Sequence, residues 1–288
     1  MSFPRHRLLV LPLAVVAVSF GAILVRLAAE APPLTIAAWR VAIAALLFAP
    51  FAARQGRLTA VPRRTLGLCA ASGAFLALHF ILWIGSLRHT SVASSVLLVS
   101  MNPLFVALGS ALFLREQPSR RVLAAVCVSL LGMVLMAWAG LLGGTRSLTG
   151  DAMALGGAVM ASGYLLSGRR ARASLPLPQY ACLTYGCAGL LLLVICLAAR
   201  QPLLGFSSKT TLYLVLLALG PQLLGHSTFN WALRYLPAST VALVILGEPI
   251  GSTLLAYLLL GEGITPLKAA GGLLILVGIY VGLQRGKR

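Results

Sequence analysis

The chain has 288 residues, a formal net charge of +18 and a hydrophobic content of 59%, whereas only 10% of its residues are charged. A typical soluble domain is about 25% charged, so this composition excludes an ordinary soluble protein. Apolar stretches of about 20 residues, the length at which an α-helix crosses a bilayer, follow one another along the chain. In chain order they cover residues 8–28, 33–53, 64–86, 91–113, 120–139, 149–170, 177–199, 210–233, 238–260 and 266–284.

The predicted fold class is an all-α polytopic membrane protein with ten transmembrane helices. Only short connectors remain between the predicted spans, which leaves no room for a soluble domain. Arg5, His6 and Arg7 precede the first apolar stretch, as at the start of a secretory signal peptide. That stretch is longer than the apolar region of a usual signal peptide, so we interpret it as a retained first helix.

The basic residues are unevenly distributed over the connectors. With a cytoplasmic N-terminus, 16 Lys and Arg residues fall on the cytoplasmic side, six fall on the other side, and Arg40 lies within a span. This bias satisfies the positive-inside rule and predicts that both termini are cytoplasmic. The net charge therefore indicates membrane topology, and we expect no nucleic-acid partner.

The five cysteines all lie within predicted spans and lack the spacing of metal ligands. Their odd number excludes a complete internal disulfide framework, and we interpret them as small apolar packing residues. The sequence carries no Gly-rich phosphate loop and no nucleophile elbow. We therefore expect no catalytic residue, no metal site and no cofactor.

The two halves of the chain align at an offset of 146 residues. Arg88 aligns with Arg234 and Pro103 with Pro249, so the halves 1–145 and 146–288 each contain five spans. Because five is odd, the second half must enter the membrane from the opposite side. Inverted repeats of this kind are typical of transporters with a substrate site near the midplane, although a duplicated structural protein would also repeat.

Several short motifs strengthen the transporter interpretation. Trp39-Arg40 lies in the second span, Asn102-Pro103 in the fourth, and Leu114-Arg115-Glu116 after it, while Glu248-Pro249 and Leu260-Gly261-Glu262 lie in the second half. In this order the motifs resemble those of the EamA family of the drug/metabolite transporter superfamily. The resemblance implies a bacterial inner-membrane exporter of small metabolites, similar in general character to amino-acid exporters, including those for aromatic amino acids. It also implies a central cavity surrounded by spans 1–4 and 6–9, with spans 5 and 10 peripheral.

Polar side chains recur at helical spacing within several spans. Intramembrane polar groups are costly, so these faces are expected to point into a cavity. Asn102 and Glu248 are repeat mates, and each lies roughly 15 Å into its span, near the midplane. The predicted substrate-binding residues are Asn102, Glu248, His79, Trp83, Tyr164, His226, Asn230, Ser95 and Arg40.

The charged members of this set allow two interpretations each. Glu248 either binds a substrate ammonium group or titrates during transport, or else it pairs with Arg40 as part of the structure. Arg40 either binds a substrate carboxylate or serves that structural pair. His79 and His226 either shuttle protons or pack through hydrogen bonds. For Trp83 and Tyr164, stacking on a substrate and filling the core are equally open.

Pro103 and Pro249 each remove a helical hydrogen bond in mid-span, which predicts either a hinge or a static kink. Gly278 and Gly282 recur at the spacing of close helix contact, either within the bundle or in a homodimer.

The residue set favours a small zwitterion or neutral metabolite, amino acids first, carried by alternating access. An exporter of amphipathic drugs or other metabolites is the alternative. A sugar-phosphate antiporter is disfavoured, since Arg40 is the only Lys or Arg well inside a span. A membrane enzyme is disfavoured as well, because the polar groups are spread over both halves. The energy source of transport stays open.

Overall fold

The computed structural model describes residues 10–56, 58–141, 147–261 and 263–284, without the side chains at 59, 93, 137 and 139–141. Within these ranges the chain forms ten helical rods and no β-strand, and it confirms the predicted all-α polytopic fold. Seven rods are each a single α-helix: α1 Val10–Leu27, α2 Pro33–Arg54, α3 Arg63–Ser86, α5 Arg120–Leu141, α6 Leu148–Arg172, α7 Leu177–Ala198 and α10 Pro266–Leu283.

The other three rods contain irregular turns. Rod α4 consists of Val92–Val99, Asn102–Gly109 and a π-helical turn at Ser110–Leu114. Rod α8 consists of Ser208–Leu217, a π-helical segment at Ala218–His226 and a last turn at Ser227–Ala232. Rod α9 consists of Ala238–Ile245 and Glu248–Leu260.

The rods are long and apolar enough for a membrane protein. Eight of the rods in the described chain combine sufficient length with high hydropathy: α1, α2, α3, α4, α7, α8, α9 and α10. Rods α5 and α6 are 22 and 25 residues long, which also exceeds the length needed to cross the hydrocarbon core. Their outward faces are rich in exposed Leu and Val, as expected of helices that contact lipid tails.

Two rods are broken at equivalent places. The helix of α4 stops at Val99 and restarts at Asn102, and the helix of α9 stops at Ile245 and restarts at Glu248. Pro103 and Pro249 each occupy the second position of the new helix, where a missing N–H is tolerated. The two residues at each interruption form a tight turn that stays hydrogen-bonded to the preceding helix, as from Met101 N–H to the Leu98 carbonyl and from Gly247 N–H to the Val244 carbonyl. The prolines were expected to mark a hinge or a static kink, and each lies directly after such a turn.

The contacts between rods repeat in the two halves of the chain, so that α1 to α5 correspond to α6 to α10. Rod α2 packs on α7, α4 on α9 and α5 on α10, while α3 packs on α6 as α1 packs on α8. Rods α5 and α10 form a pair at the side of the bundle. The remaining eight rods form the rest of the bundle.

Close contact between α5 and α10 depends on glycine. A Cβ atom on Gly132 would meet the backbone oxygen of Gly271, and one on Gly271 would meet that of Gly132. Gly278 lies against Ser129, and Gly282 lies against Leu243 and Ala125 of the same chain. The structure therefore assigns the glycines at 278 and 282 to packing within the bundle.

Polar contacts tie the connectors together at both ends of the bundle. At one end, Arg88 donates to the backbone carbonyls of Ala29 and Ala31, and the Glu30 carboxylate accepts from the backbone N–H of Ser207 at 3.0 Å. That N–H donor lowers the pKa of the Glu30 carboxyl. At the other end, Arg169 of α6 forms an ion pair with Glu116 at 2.8 Å, and it also donates to the Leu233 carbonyl at the end of α8.

Candidate substrate cavity

A cavity lies at the centre of the bundle and leaves about 40 Å³ of space for water-sized molecules. Its walls come from α1–α4, α6, α8 and α9, and no described residue of α5, α7 or α10 lines it. Seven of the nine predicted site residues lie in these walls: Arg40, His79, Trp83, Asn102, Tyr164, His226 and Glu248. Sequence positions as far apart as 40 and 248 are thereby brought to one site.

The other two predicted residues lie elsewhere. Asn230 lies behind the cavity wall, where its Nδ2 donates to the hydroxyl oxygens of Tyr164 at 2.5 Å and Tyr185 at 2.9 Å. It supports a wall residue without lining the cavity itself. Ser95 is buried between α3 and α4, and its hydroxyl lies 2.6 Å from that of Ser86. The structure therefore does not bring Ser95 to the cavity.

Arg40 is the buried cation of the cavity, with only 1% of its surface exposed. Its Nε donates to Gln222 Oε1 at 3.0 Å, and its guanidinium carbon lies 4.0 Å from the centre of the Phe80 ring. Both interactions are with neutral groups, and the Nη1 atom is buried without a hydrogen-bond partner. A buried charge normally has an ionic partner or a complete set of hydrogen bonds, so Arg40 is under-satisfied.

Arg172 shows what a satisfied buried guanidinium looks like in the same molecule. It is equally buried, at 1% exposure, near the end of α6. Its Nε donates to the Asn230 carbonyl at 2.9 Å, and its Nη1 donates to the Leu175 carbonyl. Arg172 donates to two backbone oxygens, whereas Arg40 donates from Nε to one side-chain amide oxygen and its Nη1 has no acceptor.

Glu248 and Asn102 bring acceptors to the cavity from the two helix breaks. Both residues line the cavity, and the described residues include no hydrogen-bond or ion-pair partner for the Glu248 carboxylate. Glu248 and Arg40 form no ion pair within 4 Å, but the two residues lie close enough to interact electrostatically. The Oδ1 atom of Asn102 is also buried without a partner.

Aromatic rings form much of the remaining wall. The His79 and Trp83 rings are stacked at 5.9 Å, and the His226 ring contacts Phe80 at 5.6 Å and Tyr164 at 6.1 Å. His79 Nδ1 donates to the Gly157 carbonyl at 2.9 Å, which fixes its ring. The indole Nε1 of Trp83 is buried without an acceptor.

Several wall positions are repeat mates. Val18 and Tyr164, Trp83 and Phe229, Val99 and Ile245, and Asn102 and Glu248 are each separated by 146 residues, and all eight line the cavity. Among the predicted site residues, only Asn102 and Glu248 were identified as a pair at this offset. Applied to Trp83, the same offset would have identified Phe229.

Gln222 and Phe80 were absent from the predicted site, although they hold Arg40 in place. Gln222 lies in the π-helical segment of α8, one residue after Pro221. Such segments often occur at functional sites, because they change the direction of single side chains. The Pro221-Gln222 pair in mid-span was the available indication in the sequence. For Phe80, the 146-residue offset from His226 was the available indication.

A bundle of apolar membrane helices with a central cavity and under-satisfied charges at mid-depth defines a multi-pass membrane protein of the solute-transporter class. The model of the EamA-like transporter family matches the sequence twice, at residues 7–138 and 148–283. The chain belongs to that family, as its motifs had indicated.

Individual relatives agree with this assignment. An "Uncharacterized transporter" of Clostridium kluyveri is 23% identical over 85% of this chain and 82% of its own length. A "Probable terminal-alkyne amino-acid exporter" of Streptantibioticus cattleyicolor is 28% identical over 86% of this chain and 80% of its own. An "Uncharacterized transporter" of Archaeoglobus fulgidus is 27% identical over 88% and 89%. A solved crystal structure shares the fold, with a TM-score of 0.79 at 20% identity over 98% of this chain and 97% of that one.

Proposed function

We propose that this protein is a secondary transporter that exports small metabolites, chiefly amino acids, by alternating access. The observation that supports this most strongly is the presence of Arg40 and Glu248 in one buried cavity without a bond between them. A static membrane protein gains nothing from leaving two opposite charges unpaired, because each costs several kcal/mol to bury. A substrate that carries both charges satisfies both residues at once.

The substrate class follows from the balance of charges. The described cavity wall contains one guanidinium, one carboxylate and the imidazoles of His79 and His226, and its other residues are aromatic, apolar, amide or hydroxyl groups. That set suits a zwitterion of about neutral net charge. A phosphorylated solute calls for several cations, and the wall has one. The Streptantibioticus cattleyicolor relative, by its printed name an amino-acid exporter, supports the same class.

The topology that we propose has two inverted five-helix repeats, 1–145 and 146–288, with both termini cytoplasmic in a bacterial inner membrane. The repeat is supported by the double family match and by rod packing that is unchanged on exchange of the halves. The orientation is supported by the excess of Lys and Arg on the cytoplasmic side of the predicted spans.

Alternating access requires that the cavity open to each side in turn. The breaks at Pro103 and Pro249 are the proposed hinges, because at each the regular α-helical hydrogen bonds change to those of a tight turn beside the cavity. The ties at the two ends of the bundle, Arg169 with Glu116 and Glu30 with Ser207, are the contacts that would exchange during the cycle.

Counterflow in proteoliposomes tests this function. Vesicles loaded with an unlabelled amino acid should accumulate the labelled one, and protein-free vesicles should not. The same vesicles are also tested with labelled cationic drugs and with labelled sugar phosphates. Movement of drugs alone would move the assignment to the amphipathic-drug alternative, and movement of phosphorylated solutes alone would refute it. Chemical conversion of a solute without flux would indicate an enzyme.

A further inference from the structure

A second crevice lies on the side of the bundle, apart from the central cavity. Residues of α3, α4 and α6 line it, and it leaves about 210 Å³ of space for water-sized molecules. Its walls are mostly Leu and Phe side chains, among them Phe75 of α3, Phe113 of α4 and Leu166 of α6. Phe113 is 61% exposed, so the crevice opens at the outer surface of the bundle. Such walls suit a hydrocarbon chain and offer little to a polar solute.

One end of this crevice is basic. Arg170, in the last turn of α6, lines the crevice, and its Nη2 donates to the Phe113 carbonyl. Arg64 lies one turn before the lining residue Leu68 on the same face of α3, and Arg115 directly follows the end of α4. All three arginines are exposed. They lie at helix ends that the proposed topology places at the cytoplasmic surface of the membrane.

The protein supplies no carboxylate to balance these arginines. The chain has five Asp and Glu residues, and in the proposed topology Glu116 is the only one on the cytoplasmic side. Glu116 is already engaged, because its Oε1 accepts from Arg169 at 2.8 Å. In the described part of the chain, no carboxylate forms an ion pair with Arg64, Arg115 or Arg170. An anion at this end of the crevice must therefore come from outside the protein.

We propose that the crevice binds an anionic phospholipid of the cytoplasmic leaflet. Its phosphate lies at Arg170, within the field of Arg64 and Arg115, and one acyl chain lies between α3, α4 and α6. The planar donor set of an arginine matches a phosphate, and basic pockets between transmembrane helices on the cytoplasmic side bind anionic headgroups. A soluble anion would leave the apolar walls without a partner. A zwitterionic lipid would bring a cationic group towards the arginines.

The lipid would also support the end of the bundle where it binds. Arg170 follows Arg169 and Arg115 precedes Glu116, and the ion pair of Arg169 with Glu116 ties α6 to the end of α4. A lipid seated here contacts three rods beside this tie. Because a ligand that binds only the folded state stabilises it, the bound lipid should raise the unfolding temperature of the protein.

The first test needs only the wild-type protein. The full chain in a non-ionic detergent is titrated with phosphatidylglycerol and with phosphatidylethanolamine of the same acyl chains, and native mass spectrometry counts the bound lipids. Phosphatidylglycerol should bind at one site at least about 10-fold more tightly, as expected from a charge-assisted contact, and should raise the unfolding temperature further. Equal binding of the two lipids would overturn the role of the arginines.

Glycerol 3-phosphate separates a lipid from a soluble phosphate. It carries the phosphate without the acyl chains, so we expect it to leave bound phosphatidylglycerol in place at the same concentration. Displacement would identify a site for a soluble anion and would overturn the assignment of the apolar walls to a lipid.

Variants then assign the headgroup contact. Arg170→Gln should weaken phosphatidylglycerol about 10-fold and leave phosphatidylethanolamine unchanged. Arg54→Gln is the matched control, because Arg54 is an exposed arginine in the last turn of α2 and does not line the crevice. We expect wild-type affinity from this control. The same loss in both variants would mean a general attraction of anionic lipid to a basic surface, and would contradict a specific site.

A filled crevice tests the acyl chain. Ser167→Phe adds a ring to the crevice wall and leaves the three arginines in place, so it should weaken phosphatidylglycerol as well. Unchanged binding in a variant that unfolds at the wild-type temperature would contradict the seat of the acyl chain. Lipid binding and solute flux are separate measurements. A protein without amino-acid counterflow would refute the proposed function, and a protein without lipid selectivity would refute only this inference.

Discussion

The breaks in α4 and α9 have the same backbone design and opposite chemistry. Each helix stops for two residues, restarts on a residue that lines the cavity, and carries proline at the next position. The restarting residue is the amide Asn102 in one rod and the carboxylate Glu248 in the other. The repeated backbone therefore supplies the geometry of the site, and the residue that differs between the two repeats supplies its charge. Arg40 follows the same rule, since Tyr185 takes its place in the second half at the offset of 145 residues that aligns Pro33 with Pro178.

Removing the charge at the α9 break is expected to have the largest effect. Glu248→Gln keeps the shape of the side chain and removes its negative charge. We expect the transport efficiency for an amino acid to fall about 10- to 100-fold, which corresponds to the loss of one charge-assisted hydrogen bond. Initial rates of labelled amino-acid uptake into proteoliposomes measure this. Wild-type rates in a correctly inserted variant would show that Glu248 is not part of the site.

Exchanging Asn102 and Glu248 tests whether the two breaks present equivalent positions to the substrate. The single variant Glu248→Asn is expected to lose transport as Glu248→Gln does. Adding Asn102→Glu returns a carboxylate to the cavity wall from the other break. Because the two positions are repeat mates in one cavity, we expect the double variant to recover about 10-fold in uptake rate. A double variant no better than Glu248→Asn would mean that the two breaks do not present equivalent positions to the substrate.

Truncation at the α4 break is expected to have a smaller effect. Asn102→Ala removes a neutral acceptor, and a neutral hydrogen bond contributes about 0.5–1.5 kcal/mol. Uptake efficiency should therefore fall about 2- to 10-fold, less than for Glu248→Gln. The same uptake assay, run on both variants at equal protein density, checks the ranking. A larger loss for Asn102→Ala than for Glu248→Gln would reverse our assignment of charge to the α9 break.

The prolines at the breaks test motion and not binding. Pro103→Ala and Pro249→Ala each restore an N–H that can continue the helix. If the breaks are hinges, the maximal uptake rate should fall by a few-fold while substrate affinity changes little, since neither ring carries a polar group for the substrate. Separate measurement of binding and of maximal flux distinguishes the two effects. Unchanged flux in both variants would leave the breaks as static features of the bundle.

The helical rods and their irregular points were predictable, because a segment that crosses a bilayer must be apolar and helical over about 20 residues. The positions of the rods followed from hydropathy, and the irregular points of α4 and α9 followed from Pro103 and Pro249. Asn102 and Glu248 were identified because a polar residue at mid-depth has few explanations.

Two features of the site were not predictable from helical spacing. A continuous helix would place Ser95 and Asn102, seven residues apart, on one face, and the interruption after Val99 removes that relation. Gln222, His226 and Asn230 lie at intervals of four in the sequence, but the π-helical segment changes the turn, and each residue has different neighbours. The Gln222 contact with Arg40 joins residues 182 positions apart, which no local pattern reveals.

The most direct test of the central claim is amino-acid counterflow with matched charge variants. Wild-type vesicles loaded with unlabelled L-phenylalanine or L-leucine should accumulate the labelled amino acid, Glu248→Gln vesicles should accumulate it far more slowly, and Ser129→Ala vesicles should match the wild type. Equal accumulation by wild type and Glu248→Gln, or accumulation of sugar phosphates in place of amino acids, would contradict the account.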